Sequence, residues 1–470
     1  MKVPARIPAA ASLVGAPDRV VFKTHCRDVA LSLLFALGLG ACGSGGGSPV
    51  PMTYTIGGTI AGLSGTVVLQ NNGGDDLTRS ADGGFAFAIR ANNGSNYSVT
   101  VRTQPVGKTC NVSNGSGTIS NANVTSVRVN CAQSPPPYPP SSFITGITWA
   151  AASSIVRLAA GSDNWPTTWA DDGDLYTAYG DGFGFTTPQV LSKLSLGLGK
   201  ISGGPDAAIG TNIRSATGEQ LGDGKSGKKP SGMLMVDGTL YMWARNANLD
   251  GTGCQLAWSQ DHAVTWTWSS WKFNELGYCA FLEFGQNYAG ARDQYVYIYS
   301  PDSASAYIAA DRMILARVLK SAISDRNAYE FLVGLDGNGA PLWTTQIGQR
   351  GAVFTQSKLC LRSGISYNAA LGRYLWWQQL PVNGSDTRFS GGFGIYDAPE
   401  PWGPWTTVYY TEQWDVGPGE RGSFPPKWMS ADGRTMYLVF SGDDSFSVRQ
   451  ATITTLAASL PLPPSNSVVD

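Results

Sequence analysis

The chain has 470 residues, of which only 14% are Asp, Glu, Lys or Arg, about half the ~25% usual for a soluble globular protein. Thirty-three basic against 34 acidic residues give a formal net charge of −1, so there is no basic footprint for a phosphate backbone and no nucleic-acid partner is expected. Gly (58), Trp (15), Tyr (19) and Phe (17) fill the space that charges leave, a composition of short strands and tight turns that excludes an all-helical protein.

Residues 29–41 form a short apolar run, preceded by Lys23, His25 and Arg27 and ended by Leu39-Gly40-Ala41-Cys42. The run is too short to span a bilayer and fits the core of a secretory signal. The tetrapeptide resembles a bacterial lipobox, whose Cys becomes the lipidated first residue; the alternative is an ordinary signal peptide with Cys42 incidental. On the lipobox reading, residues 1–41 are removed and 42–53 carry the lipid and a flexible Gly/Ser tether. The mature protein is then an exported lipoprotein at the outer membrane or cell surface, touching the membrane through that anchor alone. Of seven Cys, five remain in the body. In an oxidising compartment Cys110 and Cys131 are expected to pair. Cys254 and Cys279 are expected to form a second bridge, with two buried thiols as the alternative, leaving Cys360 over. Two His and no CxxC motif argue against a zinc site; no metal and no cofactor are expected, and the protein is expected to be a monomer.

Residues 54–132 alternate in period two between Gly/Asn turns, the pattern of a small β-sandwich. The runs GGTIAGLSGTVVLQNNGG and KTCNVSNGSGTI resemble a sandwich repeat of bacterial surface proteins, which implies a spacer or adhesion module. Residues 133–142 are a Pro-rich strut. Residues 143–460 then repeat a strand, a tight turn and an aromatic strand five times. The turns are Asp172-Gly173, Asp237-Gly238, Arg292-Asp293, Gly372-Arg373 and Asp432-Gly433. That spacing predicts a five-bladed β-propeller, so the fold class is all-β throughout. A degenerate Asp-box, Ser259 to Trp266, reads as a structural hairpin plug.

Inner strands of a propeller start around its central funnel. Counting back nine from the turns gives Asp163, Lys228 and Ser423, with Arg362 at the same level of the fourth hairpin and Glu283 on the third inner strand. In the first hairpin a turn at Gly173 places Asp163 opposite Asp181. Like charges so placed are destabilising, and two carboxylates flanking one bond are the equipment of glycoside hydrolysis, since their interaction raises one pKa. The alternative is that one or both bond turn backbone.

The segments GSDNWPTTWADDGDLYTAYGDGFGF, KPSGMLMVDGTLYMWARN, SGISYNAALGRYLWW, GIYDAPEPWGPW and PPKWMSADGRTMYLVFSG resemble a family of five-bladed propellers, first described as a domain of unknown function, that includes endo-D-arabinanases. The resemblance covers nearly all of residues 144–456. It implies glycosidase chemistry on a furanoside polysaccharide with Asp163 and Asp181 as the catalytic pair, one protonating the leaving oxygen and the other activating water or attacking the anomeric carbon. Asn164, Trp165 as a stacking platform, Lys228, Lys229, Glu283, Arg362 and Lys427 are the candidate substrate contacts. Adjacent strands favour the short carboxylate separation of a retaining enzyme. The competing readings are a surface protein that binds glycan without cutting it, and a sialidase-like enzyme, for which no arginine triad stands in blade order.

Overall fold

The computed structural model describes residues 52–105, 107–381 and 386–456; the signal segment, Cys42 and the tether through residue 51 lie outside the described residues. Regular structure here is β-strand with short 3-10 turns, and no described helix is long and apolar enough to cross a membrane.

Two four-stranded sheets make the N-terminal sandwich. One holds Gly83–Ala86, Ile56–Ala61, Val124–Gln133 and Lys108–Ser113, the other Gly74–Arg79, Val67–Asn71, Asn96–Thr103 and Ser116–Thr118. The alternation read in the sequence becomes alternation of burial: Val127, Val129 and Cys131 point into the core, and Arg128 and Asn130 point out. Cys110 and Cys131 are cross-strand partners and are bridged. The Pro-rich segment is stapled to strands much later in the chain. Thr355 N–H donates to the Tyr138 hydroxyl at 2.8 Å, Thr407 Oγ1 donates to Tyr138 O at 2.8 Å, and Thr407 N–H donates to Pro139 O.

Five antiparallel meanders make up the larger part of the chain. Their inner strands are Asp163–Trp169, Lys229–Val236, Ala280–Glu283, Ser363–Asn368 and Gly422–Ser423. Each inner strand lies beside the next, and the fifth meander returns against the first, which closes a propeller. The fifth meander is completed by Ile144–Trp149, paired antiparallel with Phe446–Thr455, so the first strand of the ring closes its last sheet. Tight turns need left-handed residues, and Asp237 and Gly238 supply them in the second blade with φ of 48° and 78°. Blade strands are covered on both faces, hence runs such as Lys229–Val236 in which every residue is buried. Asp261 of the degenerate box accepts from Thr265 N–H and the Ser259 hydroxyl, each at 2.8 Å, a turn-forming role.

One pairing differs from expectation. Cys254 and Cys279 are buried free thiols. Cys279 N–H donates to Cys254 Sγ at 3.1 Å, so the sulfur of Cys254 serves as a backbone acceptor between the second and third blades.

Aromatic rings pack within blades and against the neighbouring blade. Trp377 is fully buried, stacks on Phe393 at 5.6 Å, and lies under Gly422 of the fifth inner strand, where a Cβ would come within 2.7 Å of the indole. Trp377→Ala is expected to cost about 3–5 kcal/mol, read as a lower midpoint of denaturant unfolding.

Candidate active site

Because the strands alternate in direction, inner strands start and second strands end at the same end of the ring. Asp163, Lys229, Tyr278, Arg362, Glu420 and Arg421 stand at or just before starts of inner strands; Asp181 and Arg245 stand at ends of second strands. The funnel mouth therefore gathers charged side chains from the first, second, fourth and fifth blades.

The first hairpin carries an irregularity. Trp169↔Leu175 and Thr167↔Thr177 follow the register expected from the turn, but the pairing then shifts so that Asp163 faces Gly180 and not Asp181. Pro166 has no N–H for the ladder, and Asn164 and Trp165 take positive φ (76° and 60°), which together make a bulge. Asp181 falls one residue beyond the strand, also left-handed at φ 45°. Gly180 makes room for the acid: a Cβ there would sit 2.3 Å from Asp163 Oδ1.

Asp163 is buried, and Asn164 Nδ2 donates to its Oδ1 at 2.9 Å. Burial first, then the charge of Glu420, push its carboxyl up to about 6, against the pull of Arg245, Lys229 and Arg362. The negative charge that lifts Asp163 thus belongs to Glu420, where the sequence pointed to Asp181. Lys229 forms an ion pair with Asp181, and burial together with Arg245 brings the ammonium down to about 8. Glu420 is ion-paired with Arg362 and lies 3.4 Å from Arg245 Nη2. Burial opposes its ionisation, yet Arg362 and Arg245 hold its carboxyl at about 2.

Several expected contacts lie elsewhere. Trp165 offers no face to a sugar: it is 1% exposed and packs among Tyr179, Phe185 and Phe446. Asn164 is buried behind Asp163 and holds it. Lys228 has the opposite strand parity to Lys229, so its Nζ turns outward to Gln255 Oε1 (2.9 Å) and over the Trp268 ring. Lys427 faces Asp174 of the turn end of the first blade, 4.0 Å away, at the end of the ring remote from the mouth. Glu283 sits at the far end of its inner strand, where burial keeps its carboxyl well above the usual range in spite of Arg421 and the Thr168 hydroxyl.

Arg245, Arg421 and Glu420 were missed. Arg245 ends a second strand, and Glu420 and Arg421 precede an inner strand of two residues, so none falls on the count from the turns. The arginines do converge, but Arg245 and Arg362 meet Glu420, while Arg421 reaches Trp165 O (3.4 Å) and Ser423 Oγ (3.3 Å). Among the described residues, no group of three His, Cys, Asp or Glu side chains is placed to hold a metal ion.

No protein-family model matches the chain, and no curated protein matches it. Solved structures that do match include the GH43_1 enzyme of Xanthomonas citri, 13% identical, covering 65% of this chain and 95% of that one with a TM-score of 0.37. Another is the catalytic domain of the GH62 α-L-arabinofuranosidase of Coprinopsis cinerea, 11% identical, covering 68% and 100%, with a TM-score of 0.36.

The raised Asp163 carboxyl has a consequence for stability. Its folded value of about 6 lies above the ordinary 3.8, so the folded state keeps a proton that the unfolded chain has released. Below about pH 4 both states are protonated and there is no penalty. As pH rises toward 6 the fold loses roughly 3 kcal/mol, from about two pH units at ~1.4 kcal/mol each. Asp163→Asn, which removes the ionisation, is expected to raise Tm relative to the parent at pH 7.5 and to leave it unchanged at pH 4, checked by thermal unfolding at the two pH values.

Proposed function

We propose that this protein is a glycoside hydrolase acting on a furanoside polysaccharide of the D-arabinan type, with the funnel mouth as its active site. The observation that carries the proposal is a set of clustered carboxyls held in different states: Asp163 titrates near 6, while Glu420 stays ionised and Asp181 is paired with an ammonium. An environment that keeps one carboxyl protonated near neutral pH beside others that stay ionised provides a general acid next to a carboxylate base or nucleophile.

In this scheme Asp163, protonated at mildly acidic pH, gives its proton to the leaving glycosidic oxygen. Asp181 activates water or attacks the anomeric carbon. Lys229 steadies Asp181, and with Arg362 it supplies positive charge beside the developing negative charge of the leaving group. The furanoside preference rests on the sequence resemblance. A lipid at Cys42 would hold the enzyme at the outer membrane or cell surface, with the sandwich as spacer and the propeller as a monomeric head.

The test is to incubate the protein with arabinogalactan and a panel of D- and L-arabinans and to analyse released oligosaccharides. Asp163→Asn and Asp181→Asn are each expected to lower kcat by roughly 10²–10⁴-fold; the first leaves Tm no lower, whereas the second also lowers Tm because it leaves the buried Lys229 without its ion-pair partner. Cleavage that survives both changes sinks the site assignment, and a protein that binds these glycans equally well with and without the two carboxylates is a binding module. A second outcome concerns pH. With Asp163 as acid, kcat/KM is expected to fall as pH rises through about 6, where the proton is lost, and to fall again above about 8, where Lys229 loses its charge. A pH–rate profile checks both limbs.

A further inference from the structure

Within each blade the second and third strands are joined at the mouth of the ring, so the lengths of these five connections shape its rim. They are residues 181–196 in the first blade, 246–253 in the second, 302–309 in the third, 381–391 in the fourth and 441–445 in the fifth. The shortest lies between the two longest, which leaves a notch in the rim over the fifth blade. Aromatic side chains are otherwise buried or half-buried in this fold; among the described residues only Phe183 and Phe389 are exposed, at 48% and 57%. Each stands on one of the two long connections. Hydrogen bonds tie these connections together through the notch: Gly184 N–H donates to Ser162 Oγ at 2.9 Å, Ser162 N–H to Asp444 O at 3.0 Å, and Asp443 N–H to Arg388 O at 2.8 Å. Arg388 also donates to Asp444 Oδ2 at 2.9 Å, and its guanidinium lies 5.3 Å from the centroid of the Phe389 ring. Asp443 and Asp444 hold left-handed backbone, with φ of 54° and 45°, so the floor of the notch is kept in a conformation that costs energy for residues other than glycine.

We propose that this notch is a binding subsite for a stretch of polysaccharide beyond the bond that is cut, with Phe183 and Phe389 taking the apolar C–H faces of sugar rings and Arg388, Asp386 and Asp443 their hydroxyls. The proposal rests on the funnel mouth being a hydrolase site. An aromatic ring left in water forgoes the stabilisation that every other ring in this chain obtains by burial, and two such rings on one rim mark a surface that something covers. The occupant is the substrate chain because the notch is continuous with the acids: Ser162 precedes Asp163, and Phe183 lies two residues beyond Asp181. Its chemistry fits a neutral glycan, since carboxylates and a guanidinium side by side accept from and donate to hydroxyls. Asp386, Asp443 and Asp444 stand there against Arg157 and Arg388, a balance that offers nothing to an anionic lipid surface. The rings do on the rim what Trp165, drawn into the core, does not do in the funnel.

The test combines steady-state kinetics with electrophoresis through gels containing arabinogalactan, run on the full chain. Phe183→Ala and Phe389→Ala are each expected to raise KM for arabinogalactan about fivefold more than KM for the shortest arabinan oligosaccharide that is cut, because the short chain does not reach the notch. Phe389→Trp keeps an aromatic face and is expected to restore the polymer KM to within about twofold of the parent. In the gels, the double alanine variant is expected to lose the retardation that the unaltered protein shows. Equal rises in KM on polymer and oligosaccharide overturn the proposal, as does retardation that is the same in the double variant. Retardation reads binding without turnover, so an unaltered protein that is retarded but cleaves nothing ends the hydrolase reading alone, and loss of that retardation in the double variant still supports the subsite. An unaltered protein that cleaves but is not retarded ends the subsite and leaves the hydrolase reading standing.

Discussion

A carboxyl withdrawn from water at the end of a β-propeller is the constraint around which the rest of this molecule is arranged. Isolated charges in such a place cost several kcal/mol each unless they are paired. The chain meets that cost by drawing partners from several blades: Lys229 and Arg245 from the second, Arg362 from the fourth, Glu420 from the entry to the fifth. No blade could carry its own share of this cluster alone, so the site comes into being only when the ring is closed. A protein with few charges places a buried group of them where four of its blades meet.

Much of the architecture was legible because it is local. Tight turns, three of them Asp-Gly, are flanked by aromatic strands, and five repetitions of that unit leave a ring as the economical way to bury both faces. Asp163 and Asp181 could be assigned to one end of one hairpin for the same reason. What escaped was non-local or depended on one-residue parity. Pro166 was the visible sign of a bulge, and without allowing for it the register placed Asp181 one position too early. Lys228 and Lys229 are neighbours in sequence, and only the pleat decides which looks inward. Trp165 was drawn into the core by the positive φ that the bulge imposes. Glu420 sits at the end of an irregular segment before a two-residue strand, and no periodicity reports on such a position. The cysteines show the limit of counting: one pair faces across a ladder and is bridged, the other meets as thiol and backbone amide.

The seam between the sandwich and the propeller is more than a tether. Tyr138 packs on Phe354 at 5.0 Å, the backbone at Pro139 and Ser141 pairs with Thr407 of the outermost strand of the fourth blade, and Lys108 lies 3.5 Å from Glu412. A Pro-rich segment suits this role, since it is already extended and loses little entropy on docking. It also covers an edge strand that would otherwise present unpaired backbone groups.

The closing strand, Ile144–Trp149, imposes an order in time. It is made before any blade is complete, and its partner, Phe446–Thr455, comes about three hundred residues later. Throughout that interval the leading strand is an open edge, and a chain emerging vectorially carries it exposed while four blades assemble. The propeller thus begins with an open edge strand and ends by covering it, so that the last described strand decides whether the first one stays exposed.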